Sequence, residues 1–259
     1  MALTKSNDEV DAMRRGGALL SVALQTAVDA VKQGVTMAQL DDIATKVIVD
    51  GGGKPSFMGY KNGSGEPFPS TMCVSVNNEI VHGLGNRDIT LREGDIVGLD
   101  IGLWLDGLCT DMAVTVPVGK INKERLALLR ATRDAMYAGV DAAIVGNTVL
   151  DIGGAIEDAI DQKKYGIVKG LVGHGVGHKV HEAPHVPNYR GKFSPVKLVP
   201  NMCIAIEPML TTGSDSITTA KDGWTITTVD GSDAGHFEVT LVITENGPEI
   251  LTPQPDVGI

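Results

Sequence analysis

Four acidic residues stand in stretches that otherwise read as interior strands. Asp100 interrupts Ile96-Val97-Gly98-Leu99-Asp100-Ile101, and Asp111 lies between Leu108-Cys109-Thr110 and Met112-Ala113-Val114. Glu207 interrupts Ile204-Ala205-Ile206-Glu207-Pro208-Met209, and Glu238 sits in Phe237-Glu238-Val239-Thr240-Leu241-Val242. A buried carboxylate is costly unless it is paired, protonated or bound to a cation. One such acid is ordinarily an edge residue facing water, but four together ask for a shared cation. Asp100 and Asp111 lie on either side of Asp106-Gly107, a hairpin-turn signal. If the turn centres there, the two carboxylates come close to opposite each other on adjacent strands. Glu207 and Glu238 are expected to do the same from the second half of the chain.

Histidine adds a nitrogen to this set. Four of the six histidines fall between Gly173 and His185, in Gly-His-Gly-Val-Gly-His-Lys-Val-His-Glu-Ala-Pro-His. The glycines around His174 let backbone approach a crowded site closely. One imidazole with four carboxylates favours a hard or borderline divalent ion: Mn²⁺, Fe²⁺, Co²⁺ or Zn²⁺. A structural zinc site would draw mostly on Cys and His, and Cys73, Cys109 and Cys203 are too scattered for one. A mononuclear oxygenase centre would want two histidines and one carboxylate. The oxygen-rich set suits two ions sharing bridging carboxylates and a water, a pair that generates hydroxide near neutral pH.

The rest of the chain frames these residues. Leu19, Leu20, Ala23, Ala27, Val28 and Val31 recur at helical spacing, and Gly34 stops that helix. Thr36 and Gln39 form a capping box for a second helix ending at Gly51-Gly52-Gly53. Residues 54–70 read as a loop, and β-rich runs follow. The second half repeats the order: Asn122 caps a helix, Gly146-Asn147-Thr148 mirrors Gly34-Val35-Thr36, and another helix is expected to end near Gly166. This predicts a single α+β domain, 1–259, with pseudo-twofold halves of roughly 1–120 and 121–259 built from helix-helix-antiparallel-sheet units. A net charge of -10 excludes a general grip on nucleic-acid phosphates. An odd number of cysteines, three, points to a reducing compartment, and the N-terminus lacks a signal peptide's apolar core. No apolar run is long enough to span a membrane. A soluble cytoplasmic protein, monomeric, is the expectation.

Several stretches then carry a resemblance: Pro55-Ser56-Phe57, Gly59-Tyr60, Cys73-Val74-Ser75-Val76-Asn77, Val81-His82-Gly83, Leu99-Asp100-Ile101-Gly102 and Thr110-Asp111. Gly173 to His178, His181-Glu182, Ile206-Glu207-Pro208-Met209, Lys221-Asp222-Gly223-Trp224 and Phe237-Glu238 continue it in order. Together they closely resemble type I methionine aminopeptidases of the pita-bread fold. The resemblance implies an enzyme that removes the initiator Met from nascent proteins whose second residue is small, its substrates being nascent N-termini at the ribosome. It implies that Asp111, His174, Glu207 and Glu238 hold one metal ion, and that Asp100, Asp111 and Glu238 hold a second. Glu207 would also shuttle the water's proton, His82 would contact the scissile amide, and His181 would stabilise the oxyanion. Tyr60, Phe68, Cys73 and Trp224 would line the methionine pocket, with His82 and His181 at its reacting end.

The chain departs from the family pattern at Lys61 to Glu66, an apparent insertion before Pro67-Phe68-Pro69 that is expected to form a rim over the site. It also has Leu84-Gly85 after His82-Gly83, and Val180 before His181. His178, His185 and His236 are expected at the surface or behind the ligands rather than on metal. Two alternative readings use the same fold. An Xaa-Pro peptidase would ordinarily carry a sizeable N-terminal domain ahead of the catalytic half. A non-catalytic binding protein would ordinarily have lost metal ligands, and all five are present here.

Overall fold

The fold is described from a computed structural model covering residues 3–61 and 66–259. Four helices form among these residues, and side chains cap each start. α1 (Asn7–Ala30) opens where Ser6 Oγ accepts from the Glu9 N–H and the Glu9 carboxylate accepts from the Ser6 N–H. α2 (Met37–Asp50) has the Thr36–Gln39 box that its spacing predicts. α3 (Lys123–Ala142) starts at Asn122, whose Oδ1 accepts from the Arg125 N–H at 2.7 Å. α4 (Val149–Asp158) has a Thr148–Asp151 box. Each box satisfies N–H groups that the first helical turn leaves without partners.

Two helix ends differ from the sequence expectation. α1 ends at Ala30, and Gly34 (φ 91°) turns the chain beyond it. α4 ends at Asp158, well before Gly166, because Asp161 organises a turn there: its carbonyl accepts from the Lys164 and Tyr165 N–H groups. The duplicated order is visible in detail. Gly34 and Gly146 both adopt positive φ, 91° and 97°, just before the Thr that caps the second helix of each pair. Each capping Thr also bridges backbone elsewhere, Thr36 to Thr90 and Thr148 to Lys197.

Nine strands make the main antiparallel sheet: β1 (Lys54–Pro55), β2 (Met72–Val76), β3 (Ile96–Leu105), β4 (Leu108–Pro117), β5 (Gly173–Gly175), β6 (Glu182–Val186), β7 (Cys203–Ile206), β8 (Glu238–Thr244) and β9 (Gly247–Ile250). The order is β1-β3-β4-β8-β7-β5-β6, with β2 on β3 and β9 on β8. First and second halves therefore join where β8 pairs with β4. This is the curled sheet of the pita-bread fold.

Alternation along the strands decides which face is which. Leu99, Ile101 and Leu103 of β3, Met112 and Val114 of β4, and Val239, Leu241 and Ile243 of β8 join Leu20, Leu24, Leu40, Leu128 and Leu129 of the helices in one buried cluster. Burying each such side chain contributes about 1.5–3 kcal/mol. The alternate positions, Asp100, Asp111, Ala113 and Glu238, face the other way. That opposite face is also covered, so the strands read as continuous apolar runs rather than an alternating pattern. Among the described residues, no helix is long and apolar enough to cross a membrane.

Candidate metal centre

Strand register brings the acids into one row. Asp100 pairs with Cys73 on β2 and with Ala113 on β4, and Ala113 pairs with Glu238 on β8. Val239 pairs with Ile206, which sets Glu207 next to Glu238. Residues opposite each other on neighbouring strands share a face, so Cys73, Asp100, Ala113, Glu238 and Glu207 follow one another across the sheet. Asp111 adds a carboxylate two positions along β4 from Ala113.

The β3–β4 turn closes as expected, with Leu105 opposite Leu108 and φ of 51° at Asp106 and 82° at Gly107, the two positive values a type I′ turn requires. The two acids are diagonal rather than opposite, because Asp111 faces Gly102 while Asp100 faces Ala113. Glu207 lies one residue past the end of β7, and not within a strand as expected. Pro208 follows it and has no N–H to continue a ladder.

Two hydroxyls lock β4 and the chain around Glu238 together. Thr240 Oγ1 accepts from the Asp111 N–H at 3.0 Å and donates to the Asp111 carbonyl at 2.8 Å. Thr115 Oγ1 accepts from the His236 N–H and donates to the His236 carbonyl, both at 2.9 Å. His174 enters on β5, where glycines are obligatory: a Cβ at Gly173 would lie 2.4 Å from the Ala205 carbonyl oxygen, and one at Gly175 would lie 2.1 Å from that of Ala183. His174 Nδ1 is 3.0 Å from the Gly175 carbonyl. A carbonyl only accepts, so Nδ1 carries the proton and Nε2 presents its lone pair, 3.4 Å from Glu207 Oε1.

Donor atoms of Asp111, His174 and Glu238 all lie within 4.8 Å of one another, and so do those of Glu207, His236 and Glu238. Burial pushes the carboxyls up, to about 7 for Asp100 and about 8 for Glu207, and well above the ordinary range for Asp111 and Glu238, where neighbouring carboxylates add to the effect. Burial holds His174 down at about 3, a neutral imidazole. Asp100 Oδ1, Asp111 Oδ1, Glu238 Oε1 and His236 Nε2 are sealed from solvent without a hydrogen-bond partner. Orphaned acceptors converging from several strands are what a divalent cation satisfies. The donor set therefore fits metal.

Beside the acids lies a cavity of about 350 Å³. Phe57, Tyr60, Phe68, Cys73 and Trp224 line its apolar side. Phe68 is buried edge-on against Trp224, with ring centroids 5.2 Å apart, and against Phe57 at 6.4 Å. Its place is held by paired backbone: the Phe68 N–H donates to the Tyr60 carbonyl, and the Gly59 N–H to the Phe68 carbonyl. The loop predicted as a rim runs between these two residues, and 62–65 lie outside the described residues. Glu66, at its far end, accepts from Trp224 Nε1–H through its carbonyl at 3.1 Å.

His82 and His181 also face the cavity. His82 adopts φ of 59°, unusual for a side-chain-bearing residue, and burial lowers its imidazole to about 4. The His181 ring stands at 4.4 Å from that of His174, and its Nδ1 is 2.9 Å from the Tyr60 hydroxyl. His178 and His185 are exposed, His178 on Glu9 at 2.7 Å. His236, expected at the surface or behind the ligands, is 3% exposed and stands in the cavity wall. Its sequence signal was spacing: in extended chain, a residue two before Glu238 shares its face. Phe57 belongs to the Pro55-Ser56-Phe57 stretch, and nothing local marks it as cavity-lining.

The model of metallopeptidase family M24 matches residues 11–245. A methionine aminopeptidase of Clostridium acetobutylicum is 39% identical over 97% of this chain and 99% of its own length. The crystal structure of a methionine aminopeptidase from Thermotoga maritima superposes with a TM-score of 0.90 at 35% identity, covering 97% of this chain and 99% of that one. A prolidase from Pyrococcus furiosus, at 21% identity and a TM-score of 0.79, shares the fold, and this chain covers 66% of its length. Cavity, donor set and relatives agree, and the chain belongs to metallopeptidase family M24.

Proposed function

We propose that this protein is a methionine aminopeptidase that removes the initiator Met from nascent chains whose second residue is small. The observation that carries this reading is the row of orphaned carboxylates beside an aromatic cavity of about 350 Å³, whose rings and Cys73 sulfur suit a flexible thioether. Asp111, His174, Glu207 and Glu238 would hold one ion, and Asp100, Asp111 and Glu238 a second, both from among Mn, Fe, Co and Zn. When bound, the pair supplies Lewis acidity and activates a water near neutral pH.

The chain's own groups do the rest. Tyr60, Phe68, Cys73 and Trp224 bind the thioether side chain and exclude water around it. The Cys73 thiol, pushed well up by burial, stays protonated and serves as pocket wall rather than nucleophile. Glu207 accepts the proton of the attacking water and returns it to the departing amine nitrogen. His82, held neutral by burial, contacts the scissile amide. The Tyr60 hydroxyl and His181 Nδ1 lie 2.9 Å apart; in the tautomer where the hydroxyl donates, the His181 proton stands on Nε2, where it would be offered to the developing oxyanion.

The test is release of methionine from a Met-Ala-Ser peptide by purified protein reconstituted in turn with each of the four metals, beside an Xaa-Pro peptide. Methionine release with no Xaa-Pro cleavage is expected. Cleavage of the Xaa-Pro peptide alone would replace this reading with the proline-specific one, and binding of methionyl peptide without turnover would replace it with a binding protein.

A further inference from the structure

We propose that Lys5 is a positioning residue for His181, and that the segment from Lys5 to Met13 clamps the bend that carries this histidine. The inference deepens the reading of His181 as oxyanion donor and rests on it.

His181 has no strand of its own. It is the last residue of the bend 176–181, which joins β5 to β6. His174, by contrast, sits within β5, which pairs with β6 on one side and β7 on the other. A catalytic donor must be held within about 0.5 Å of its productive place. The sheet does this for His174, and contacts from outside the sheet must do it for the bend.

The N-terminal segment makes such contacts on both sides of His181. Before it, His178 Nε2 lies 2.7 Å from Glu9 Oε1, in the first turn of α1. After it, Glu182 Oε1 accepts from Lys5 Nζ at 2.5 Å, and the lysine side chain is 0% exposed. Between these anchors, Val180 belongs to the same buried cluster as Val10 and Met13. The lysine stem passes against Gly177: a Cβ there would lie 2.3 Å from Lys5 Cε and 3.3 Å from Met13 Sδ.

Lys5 is in turn fixed to the sheet. Thr4 bridges Met202, and the Lys5 N–H donates to the Asn201 carbonyl. That stretch leads directly into β7, the strand that pairs with β5. The tie therefore runs from the strands that carry His174, through Lys5, to the residue next to His181. Of the two polar anchors, Lys5 is the stronger. The His178–Glu9 pair is exposed and competes with water. Glu182 Oε2 is buried without a partner, so among the described residues the lysine alone orients this carboxylate.

The test is a double-mutant cycle in kcat, read with Met-Ala-Ser and metal-loaded protein. Lys5→Met should lower kcat by about 10-fold, inside the ceiling of about 10²-fold set by loss of His181 itself. KM should stay within about twofold and metal content should not change. On a His181→Ala background the same substitution should alter kcat by less than about twofold, because no donor remains to be misplaced. Equal losses on both backgrounds would overturn the proposal, as would an unchanged kcat or an effect confined to KM. Lys5→Met/Glu182→Leu removes both charges together and keeps the question decidable if Lys5→Met alone misfolds. Its kcat should remain low although its stability returns. Recovery of kcat along with stability would show that the pair serves folding only. Each of these results leaves wild-type turnover intact. Absence of methionine release from the wild type would instead sink the aminopeptidase reading and this proposal with it.

Discussion

Glu182 and Glu238 both carry side chains withdrawn from solvent, and the chain treats them in opposite ways. Glu182 receives Lys5 Nζ at 2.5 Å, and the lysine side chain is 0% exposed. Lys5 is itself tied down, its N–H donating to the Asn201 carbonyl at 2.8 Å. Among the described residues Glu238 has no lysine or arginine against it; the His174 and His236 imidazoles share its surroundings with Asp111, Glu207 and Asp100, and burial with those carboxylates pushes its carboxyl well up. One region carries its own counter-charge and is complete as a folded chain. The other is complete only with a cation from outside. Buried carboxylates alone do not distinguish a structural ion pair from a metal centre; the presence or absence of an internal partner does.

The largest test of this contrast is at the shared ligand. Glu238→Ala should abolish stoichiometric metal retention, read by elemental analysis after gel filtration, while the apoprotein folds. Retention of both ions by the variant would remove Glu238 from the bridging role. Next comes the self-compensated pair. Lys5→Met should cost about 3–5 kcal/mol in chemical denaturation, because it leaves Glu182 buried and unpaired. Adding Glu182→Leu should recover most of that loss. If K5M alone were neutral, the pair would be no more than a surface contact.

A smaller effect is expected at His181. Its replacement by Ala should lower kcat by about 10²-fold with metal content intact, since an oxyanion donor acts mainly in the transition state. Loss of metal from this variant would show that it holds the centre together instead.

The smallest effect sharpens the comparison with a third buried carboxylate. Asp41 is met by backbone N–H groups rather than a cation, that of Met72 at 2.7 Å, and burial raises it to about 6 from 3.8. A folded-state pKa above the unfolded one means that the native protein binds the proton more tightly. Stability from this group is greatest below about pH 4, falls as pH rises toward 6 and is level above that. Asp41→Asn should therefore gain about 2 kcal/mol on wild type between pH 4.5 and 7, measured by urea denaturation of the metal-loaded proteins. A constant difference between the two proteins across that range would refute the assignment.

Much of the site was legible in the chain because its signals are local. Acids inside apolar runs mark burial, and Asp106-Gly107 fixes the hairpin that carries Asp100 and Asp111 on one face. Glycines at Gly173 and Gly175 announce close backbone contact around His174. Thr36-Gln39 and Asn122 announce helix starts. Each of these is decided within a few residues, by hydrogen bonding or steric fit. The diagonal placement of the two aspartates, the early end of α4 and the position of Glu207 beyond its strand depend on which residues pair across the sheet. The insertion of β8 between β4 and β7 joins the two halves and lines up Asp100, Ala113, Glu238 and Glu207 in one row. The β4–β8 part of that pairing is long-range, between segments more than a hundred residues apart in sequence, and no local pattern encodes it. The same pairing carries His236 into the cavity wall, where only the folded sheet could bring its bare nitrogen to Glu207. The sequence by itself determined that acids would be buried and that a cation would be needed. Tertiary structure decided which atoms meet, because register across strands, not spacing along the chain, sets the distances between them.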